Sequence, residues 1–401
     1  MYSDIFKVFS FDFLSKTFLG ILSLVLIRFM APGEYAKYTF AVAIATVLMQ
    51  VISGAFNRVY IVSSKTLEIK EREASILVLQ IIVIFLIAIL AFFLTSFAFL
   101  LYCGLVAYAI GNTSLDYLKT IYQKELKFTR FSLIELLRAL SCLTIVLLIL
   151  RLKRSEITAI QTIWILAITT LAAFALIAPQ ILKLNTNFLR TLEIGKKILS
   201  GRYVNLFVYF IIISIFGQLD IFMLKKMSDE ITLASYGSAA RYYGIIMLSL
   251  TAVHSVLLPY IEKAPDAKAL YNIVRNVNNF MLFLAPIILI AIFCAGWLIP
   301  FIDNGKYPQA IPAFRILAVS SLISFTLSPY VNIVMKFEEF KWLCVTAGIF
   351  LLIAVLLNAL LIPPLKASGT ALATLISFGG FNLMTMLKAR KLTANYIAKR
   401  E

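Results

Sequence analysis

The sequence predicts an all-α membrane protein with about twelve transmembrane helices, arranged as two six-helix bundles around a central cavity. Three observations carry this. Apolar residues make up 61% of the 401-residue chain and charged residues 14%, against about 45–50% and 25% in soluble domains. Apolar windows of roughly 20 residues, the length that crosses about 30 Å of hydrocarbon, recur from end to end. No polar stretch between them is long enough to fold as an extramembrane domain of about 100 residues.

The first window covers 6–30. Asp12 and Lys16 interrupt it and no small-residue cleavage site follows a short basic start, so a retained span beginning at Met1 is expected rather than a signal peptide. Windows at 38–62, 75–95, 97–118, 131–150 and 158–182 complete the first six. A basic connector follows, with Lys183, Arg190, Lys196, Lys197 and Arg202, and then windows at 203–226, 232–260, 278–302, 311–334, 342–362 and 367–387. The chain accordingly divides into bundles at 1–190 and 191–401.

Loop charge orients the spans, because cytoplasmic loops retain lysine and arginine and translocated loops do not. Of the 37 basic residues, 23 fall in one set of alternate connectors and 8 in the other. Both termini and the central connector are thus expected in the cytoplasm, with the protein multi-pass in its membrane. The net charge of +17 belongs to these loops and marks no nucleic-acid partner. The halves also echo each other: Met30, Glu34 and Tyr38 recur as Met227, Glu230 and Tyr236. Six spans per half keep the orientation of a duplicated half, with an axis along the membrane normal.

Cys103, Cys142, Cys294 and Cys344 stand singly within apolar runs, without paired spacing or neighbouring histidines. Neither a disulfide framework nor a metal site is expected. No glycine-rich loop ends in Lys-Ser or Lys-Thr, so direct ATP use is not indicated and no cofactor is expected.

The hairpin Leu26-Ile27-Arg28-Phe29-Met30-Ala31-Pro32-Gly33-Glu34-Tyr35-Ala36-Lys37-Tyr38 resembles the first hairpin of Wzx-type O-antigen and polysaccharide-repeat flippases. These belong to the multidrug/oligosaccharidyl-lipid/polysaccharide exporter superfamily. The likeness continues through Asp220-Ile221-Phe222-Met223-Leu224, Tyr236-Gly237-Ser238-Ala239-Ala240-Arg241 with Pro259, Gly305-Lys306-Tyr307 with Pro312 and Leu317, and Ser368-Gly369-Thr370-Ala371-Leu372-Ala373-Thr374. It covers nearly the whole chain, through helix-entry patterns rather than a catalytic signature. The resemblance implies two lobes of helices and alternating-access flipping of undecaprenyl-diphosphate-linked oligosaccharide. It also implies a monomer in the lipid bilayer, serving surface polysaccharide (O-antigen, lipopolysaccharide) biosynthesis beside a polysaccharide polymerase and a chain-length regulator.

Six basic residues fall within the windows: Lys16, Arg28, Arg58, Arg138, Arg241 and Arg315. A charge at the centre of an inserted helix costs about 2.5–3.5 kcal/mol, so each needs a partner, a wet cavity or an escape to the interface. Arg28, Arg58 and Arg315 sit near helix ends, where long stems can snorkel; Arg28 and Arg58 are also candidate cavity cations. Lys16 lies about ten residues into its span, or about 15 Å at 1.5 Å per residue, near mid-membrane. Asp12 precedes it by one turn, a spacing that suits a local pair. The alternative makes Lys16 a cation for the lipid diphosphate. Asp220 and Arg241 lie at similar depths in consecutive spans, so a salt bridge across that hairpin competes with substrate binding by Arg241.

Glu135 and Arg138, three residues apart, are expected to pair locally. Asp116 follows the polar stretch Gly111-Asn112-Thr113-Ser114, which suits either sugar binding or close helix packing. His254, the only histidine, can titrate near neutrality or simply be packed. Pro286, Pro329 and Gly379-Gly380 can loosen helices.

The leading expectation is a flippase rather than an enzyme, since an anionic head group needs a cationic path. A multidrug/cation antiporter of the same superfamily is the first alternative, disfavoured because embedded bases outnumber isolated acids. A membrane O-antigen polymerase or glycosyltransferase is the second; such enzymes usually carry a sizeable extramembrane loop or a carboxylate pair for acid and base work, and it is disfavoured because the outer loops here are about ten residues or fewer.

Overall fold

The computed structural model describes residues 2–63, 73–92, 97–124, 128–153, 156–181 and 204–398, and all the regular structure among them is helical. The helices are α1 (Tyr2–Phe29), α2 (Pro32–Ser63), α3 (Glu73–Phe92), α4 (Phe99–Lys124), α5 (Phe128–Lys153), α6 (Ala159–Ile181), α7 (Val204–Phe216), α8 (Leu219–Met227), α9 (Glu230–Lys263), α10 (Ala267–Asp303), α11 (Ala310–Leu327), α12 (Pro329–Lys336) and α13 (Phe340–Ala398).

Two of the expected spans are broken. The window 203–226 divides at Gly217 and Gln218 into α7 and α8, and the window 311–334 divides at Ser328, where Pro329 opens α12. Proline has no N–H to lose at a first helical position, so it starts a helix there instead of kinking one. Conversely, α13 joins two windows. Lys366 interrupts it with φ 49° and ψ −128°, just after Pro363 and Pro364. With each broken pair taken once and α13 taken as two, the described residues form twelve helical crossings. Six helices, or seven with the α7/α8 pair, are long and apolar enough to span a bilayer by composition alone. Others hold polar side chains on buried faces, as α4 does with Thr113 and Ser114 and α9 with Ser235 and Ser238.

The chain forms two compact units, Met1–Gln218 and Leu219–Glu401. In the first, α4 packs along α6 and α2, α1 packs along α5, and α7 lies against α2. Small residues let α4 and α6 approach closely: a Cβ on Gly104 would come within 3.1 Å of the Trp164 ring, and one on Gly111 within 3.2 Å of Leu171 and Thr170. Glu34 ties two helix starts together, pairing with Lys37 at 2.8 Å and accepting the Ala159 N–H at 2.9 Å. That carboxylate occupies one of the unsatisfied donors at the α6 N-terminus.

In the second unit, α11 packs against α9, α10 and α13, while α8 and α12 also lie on α13. Asp229 and Asp266 cap α9 and α10 by accepting from Thr232 N at 2.6 Å and Ala269 N at 2.7 Å. Lys336 closes the other end of α9, donating to the carbonyls of Ile261 at 2.8 Å and Ala264 at 2.6 Å. A cation there also meets the negative end of the helix dipole. Gly369 abuts the Leu361 carbonyl, where a Cβ would clash at 2.1 Å, so the turn around Lys366 requires glycine. Gly380 is a close-approach site rather than a kink, with the Phe350 ring 2.4 Å from where a Cβ would stand.

Candidate functional site

The second unit holds a half-buried carboxylate in its first helix. Asp220, in the opening turn of α8, accepts the Ile221 N–H through Oδ1 at 2.8 Å and the Tyr236 hydroxyl through Oδ2. Tyr236 is 1% exposed, and its hydroxyl also meets Thr374 in the second half of α13. Tyr243 lies two turns along the same face of α9, within electrostatic reach of Asp220 and near Ser320 and Ser324 of α11. One carboxylate thus organises polar contacts among α8, α9, α11 and α13. The salt bridge to Arg241 expected across this hairpin is not formed: a tyrosine hydroxyl and a backbone amide occupy the two oxygens. A neutral hydroxyl is the less costly partner in a low-dielectric site, since no second charge need be desolvated.

The first unit holds the pair expected from spacing. Arg138, 6% exposed, forms an ion pair with Glu135 and extends Nη1 to the Thr170 hydroxyl of α6 at 3.5 Å. Asp116 of α4 lies within electrostatic reach of Lys119, Glu135 and Arg138, so α4, α5 and α6 bring these charges together. The polar stretch before Asp116 serves helix packing, because Gly111 sits against Leu171 and Thr170 while Thr113 and Ser114 are buried.

Lys16 is half-buried on α1, next to Ser15, whose hydroxyl donates to the Glu135 carbonyl at 3.3 Å. The α1–α5 seam thus passes through the one turn that holds Ser15 and Lys16. Arg241 is half-buried on α9, and Arg28 is exposed in the last turn of α1. Arg315 is exposed and donates from Nε to the Ile292 carbonyl of α10 at 3.2 Å. Asp12, Arg58 and His254 belong to α1, α2 and α9, but their side chains lie outside the described residues, as does the connector 183–202. The four cysteines are free, and the described residues contain no group of three or more His, Cys, Asp or Glu side chains placed to hold a metal ion.

Sequence reasoning missed Tyr236, Tyr243, Thr374 and Thr170. The signal for the first two was present: they are seven residues apart, hence on one face of α9. Thr170 is distant in sequence from the charge it meets and left none, and Thr374 stood only as the last residue of the Ser368–Thr374 likeness, without a role. The motifs Ala31-Pro32-Gly33-Glu34-Tyr35 and Tyr236-Gly237-Ser238-Ala239 turn out to be structural in their first role. Tyr35 and the whole run from Ser235 to Ala239 are buried, and Glu34 caps α6.

No protein-family model and no curated protein matches the chain in sequence. Solved structures do match its fold. The lipid II flippase MurJ in an inward closed conformation superposes with a TM-score of 0.77 over 96% of this chain and 87% of that one, at 16% identity. A MATE transporter from Vibrio cholerae gives 0.68 over 98% and 97%, at 13% identity. A MOP-superfamily transporter from Pyrococcus furiosus gives 0.68 over 98% and 95%, also at 13%. The chain therefore has the twelve-helix fold shared by structures of the MOP superfamily.

Proposed function

We propose that the protein is a flippase that carries undecaprenyl-diphosphate-linked oligosaccharide repeat units across the cytoplasmic membrane by alternating access, for surface polysaccharide assembly. The observation that supports this most directly is the pair of half-buried cations Lys16 and Arg241, one in each unit. A diphosphate that leaves water gains charge-assisted hydrogen bonds from a basic group, and these are stronger where the dielectric is low. Arg28 and Arg58, near helix ends, would receive the head group before it reaches them. The fold shared with a lipid II flippase agrees with a lipid-linked cargo. Asp220 and Asp116, set among hydroxyls and cations, are the positions proposed to couple the cycle to an ion.

A multidrug antiporter is the competing reading, favoured by the MATE structures and by the half-buried Asp220. Reconstitution separates the two. Vesicles containing the protein and a fluorescent undecaprenyl-diphosphate oligosaccharide should expose outer-leaflet label to an impermeant reductant, and should replenish that label from the inner leaflet within minutes. A replenishment rate equal to that of protein-free vesicles, together with proton- or sodium-driven uptake of a cationic dye, would establish the antiporter instead.

A further inference from the structure

We propose that a cavity at the end of α13 binds the phosphodiester head group of an anionic phospholipid, with an acyl chain along the helix below it. The cavity measures about 450 Å³ and lies between the starting turn of α13 and its last turns. Four of its lining residues, Met384, Leu387, Lys388 and Lys391, recur at the spacing of one helix face. Glu339 and Trp342 close it from the other side.

The stripe is graded. Met384 and Leu387 are 44% and 50% exposed, apolar surface that only hydrocarbon covers at low cost. Lys388 and Lys391 follow, so the face passes from apolar to cationic over seven residues, or about 10 Å. A phospholipid has the same order of parts over a similar length. Lys388 is held in place by Glu339 at 3.2 Å and by the Trp342 ring, whose centroid is 5.7 Å from its Nζ. Lys391 is exposed, one turn further out. Two lysines against one carboxylate leave the cavity positive, and the exposed Lys341 and Arg390 flank it in sequence. Tryptophan at such a level is the usual side chain of a membrane–water interface. Basic pockets between spans are suited to anionic head groups, whereas free phosphate would engage the lysines and leave Met384 and Leu387 uncovered. The site is independent of the cargo proposed above.

The full-length protein in phosphatidylcholine vesicles provides the test. Phosphatidylglycerol with brominated acyl chains is titrated in, and the Trp342 signal is the difference between wild-type and Trp342→Phe fluorescence. Brominated phosphatidylglycerol should quench that signal at a mole fraction about tenfold lower than brominated phosphatidylcholine, the order that two nearby lysines confer. Lys388→Gln/Lys391→Gln should abolish the preference. Lys391→Gln alone, which keeps the Glu339 pair and the Trp342 contact, should reduce it about threefold. Arg390→Gln, outside the cavity, should reduce it less than Lys391→Gln, and Glu339→Gln should strengthen it by removing the competing carboxylate. Equal quenching by the two lipids, a preference that survives the double substitution, or relief of quenching by millimolar inorganic phosphate would each overturn the proposal.

Discussion

The Tyr236 hydroxyl donates its hydrogen bond to Oδ2 of Asp220, and this contact joins α8 to α9 inside the second unit. A carboxylate oxygen left without that donor would be desolvated and unsatisfied, at a cost of about 1–3 kcal/mol. Tyr236→Phe should therefore lower the thermal unfolding midpoint of the purified protein, and Asp220→Asn, which keeps an acceptor, should lower it less. The exchange Asp220→Arg with Arg241→Asp should yield little inserted protein, because it places a cation opposite a hydroxyl that already donates to the native acid. Wild-type abundance of the exchanged protein would revive the direct Asp220–Arg241 bridge.

Arg138 and Glu135 offer a contrasting case, a true ion pair under low exposure. Removing one partner of such a pair typically costs about 3–5 kcal/mol, whereas replacing both with apolar residues is often neutral. Arg138→Met should sharply reduce the abundance of folded protein, and Glu135→Leu/Arg138→Met should recover most of it. Fluorescence-detected size exclusion of the three proteins measures this. Equal loss in the single and double variants would point to the Thr170 contact, not the pair, as the stabilising feature.

The two pairs show what a sequence discloses. Glu135 and Arg138 were legible because an i, i+3 spacing on a helix fixes the contact without knowledge of tertiary structure. The twelve windows were legible because hydrocarbon thickness sets span length, and even the break at Lys366 falls between the windows 342–362 and 367–387. Asp220 and Arg241 misled because matched depth in adjacent spans says nothing of rotation about the helix axes. The position of Tyr236, five residues before Arg241, points it to a different part of the α9 surface. The breaks at Gly217 and Ser328 do not change the window count, although Gln218 interrupts the first apolar run and Pro329, read as a helix-loosening residue, opens the helix after the second. Glu34 read as a motif residue, while its structural task, capping α6 at Ala159, spans 125 positions.

Asp229 connects helix capping to pH. The hydrogen bond from the Thr232 backbone N–H, outweighing the opposing effect of burial, and then the Lys366 charge hold its carboxyl below the usual range. A carboxyl whose folded value is depressed contributes stability above its unfolded value, near 3.9, and loses it as pH falls through the folded value. Asp229→Ala should lower stability by about 1 kcal/mol at neutral pH, as for other N-cap removals. The difference between wild type and variant in thermal unfolding should narrow as acid takes the protein to the pH at which the folded carboxyl is protonated. A constant difference between them down to that pH would assign the loss to packing instead of the charge.

The bias of 23 loop cations against 8 motivates a topology in which both termini and residues 183–202 face the cytoplasm. Alkaline phosphatase fused after Lys153 or Lys306 should be active, and fluorescent protein fused after Lys124 or Lys391 should be bright. The reverse pattern at Lys153 and Lys306 would invert the proposed orientation, and with it the side from which cargo is loaded.

Lys16 and Arg241 are the residues on which the flippase proposal depends most. Lys16 shares its turn with Ser15, which is bonded to the α5 backbone, so its stem starts from a fixed point. Truncation to alanine removes the ammonium without disturbing that bond. A hydrogen bond to a charged group contributes about 1.5–3 kcal/mol, so Lys16→Ala and Arg241→Ala should each slow flipping by about ten- to a hundredfold in vesicles that contain equal amounts of inserted protein. Lys16→Arg should retain most of the rate, because either cation can meet a diphosphate, whereas a lysine needed only for a local pair with Asp12 would lose stability and not rate. The double alanine variant measures whether the two effects are coupled: its rate should fall by the product of the single effects where the residues act independently, and by less where they do not. A wild-type rate in either single alanine variant would remove that residue from the substrate path.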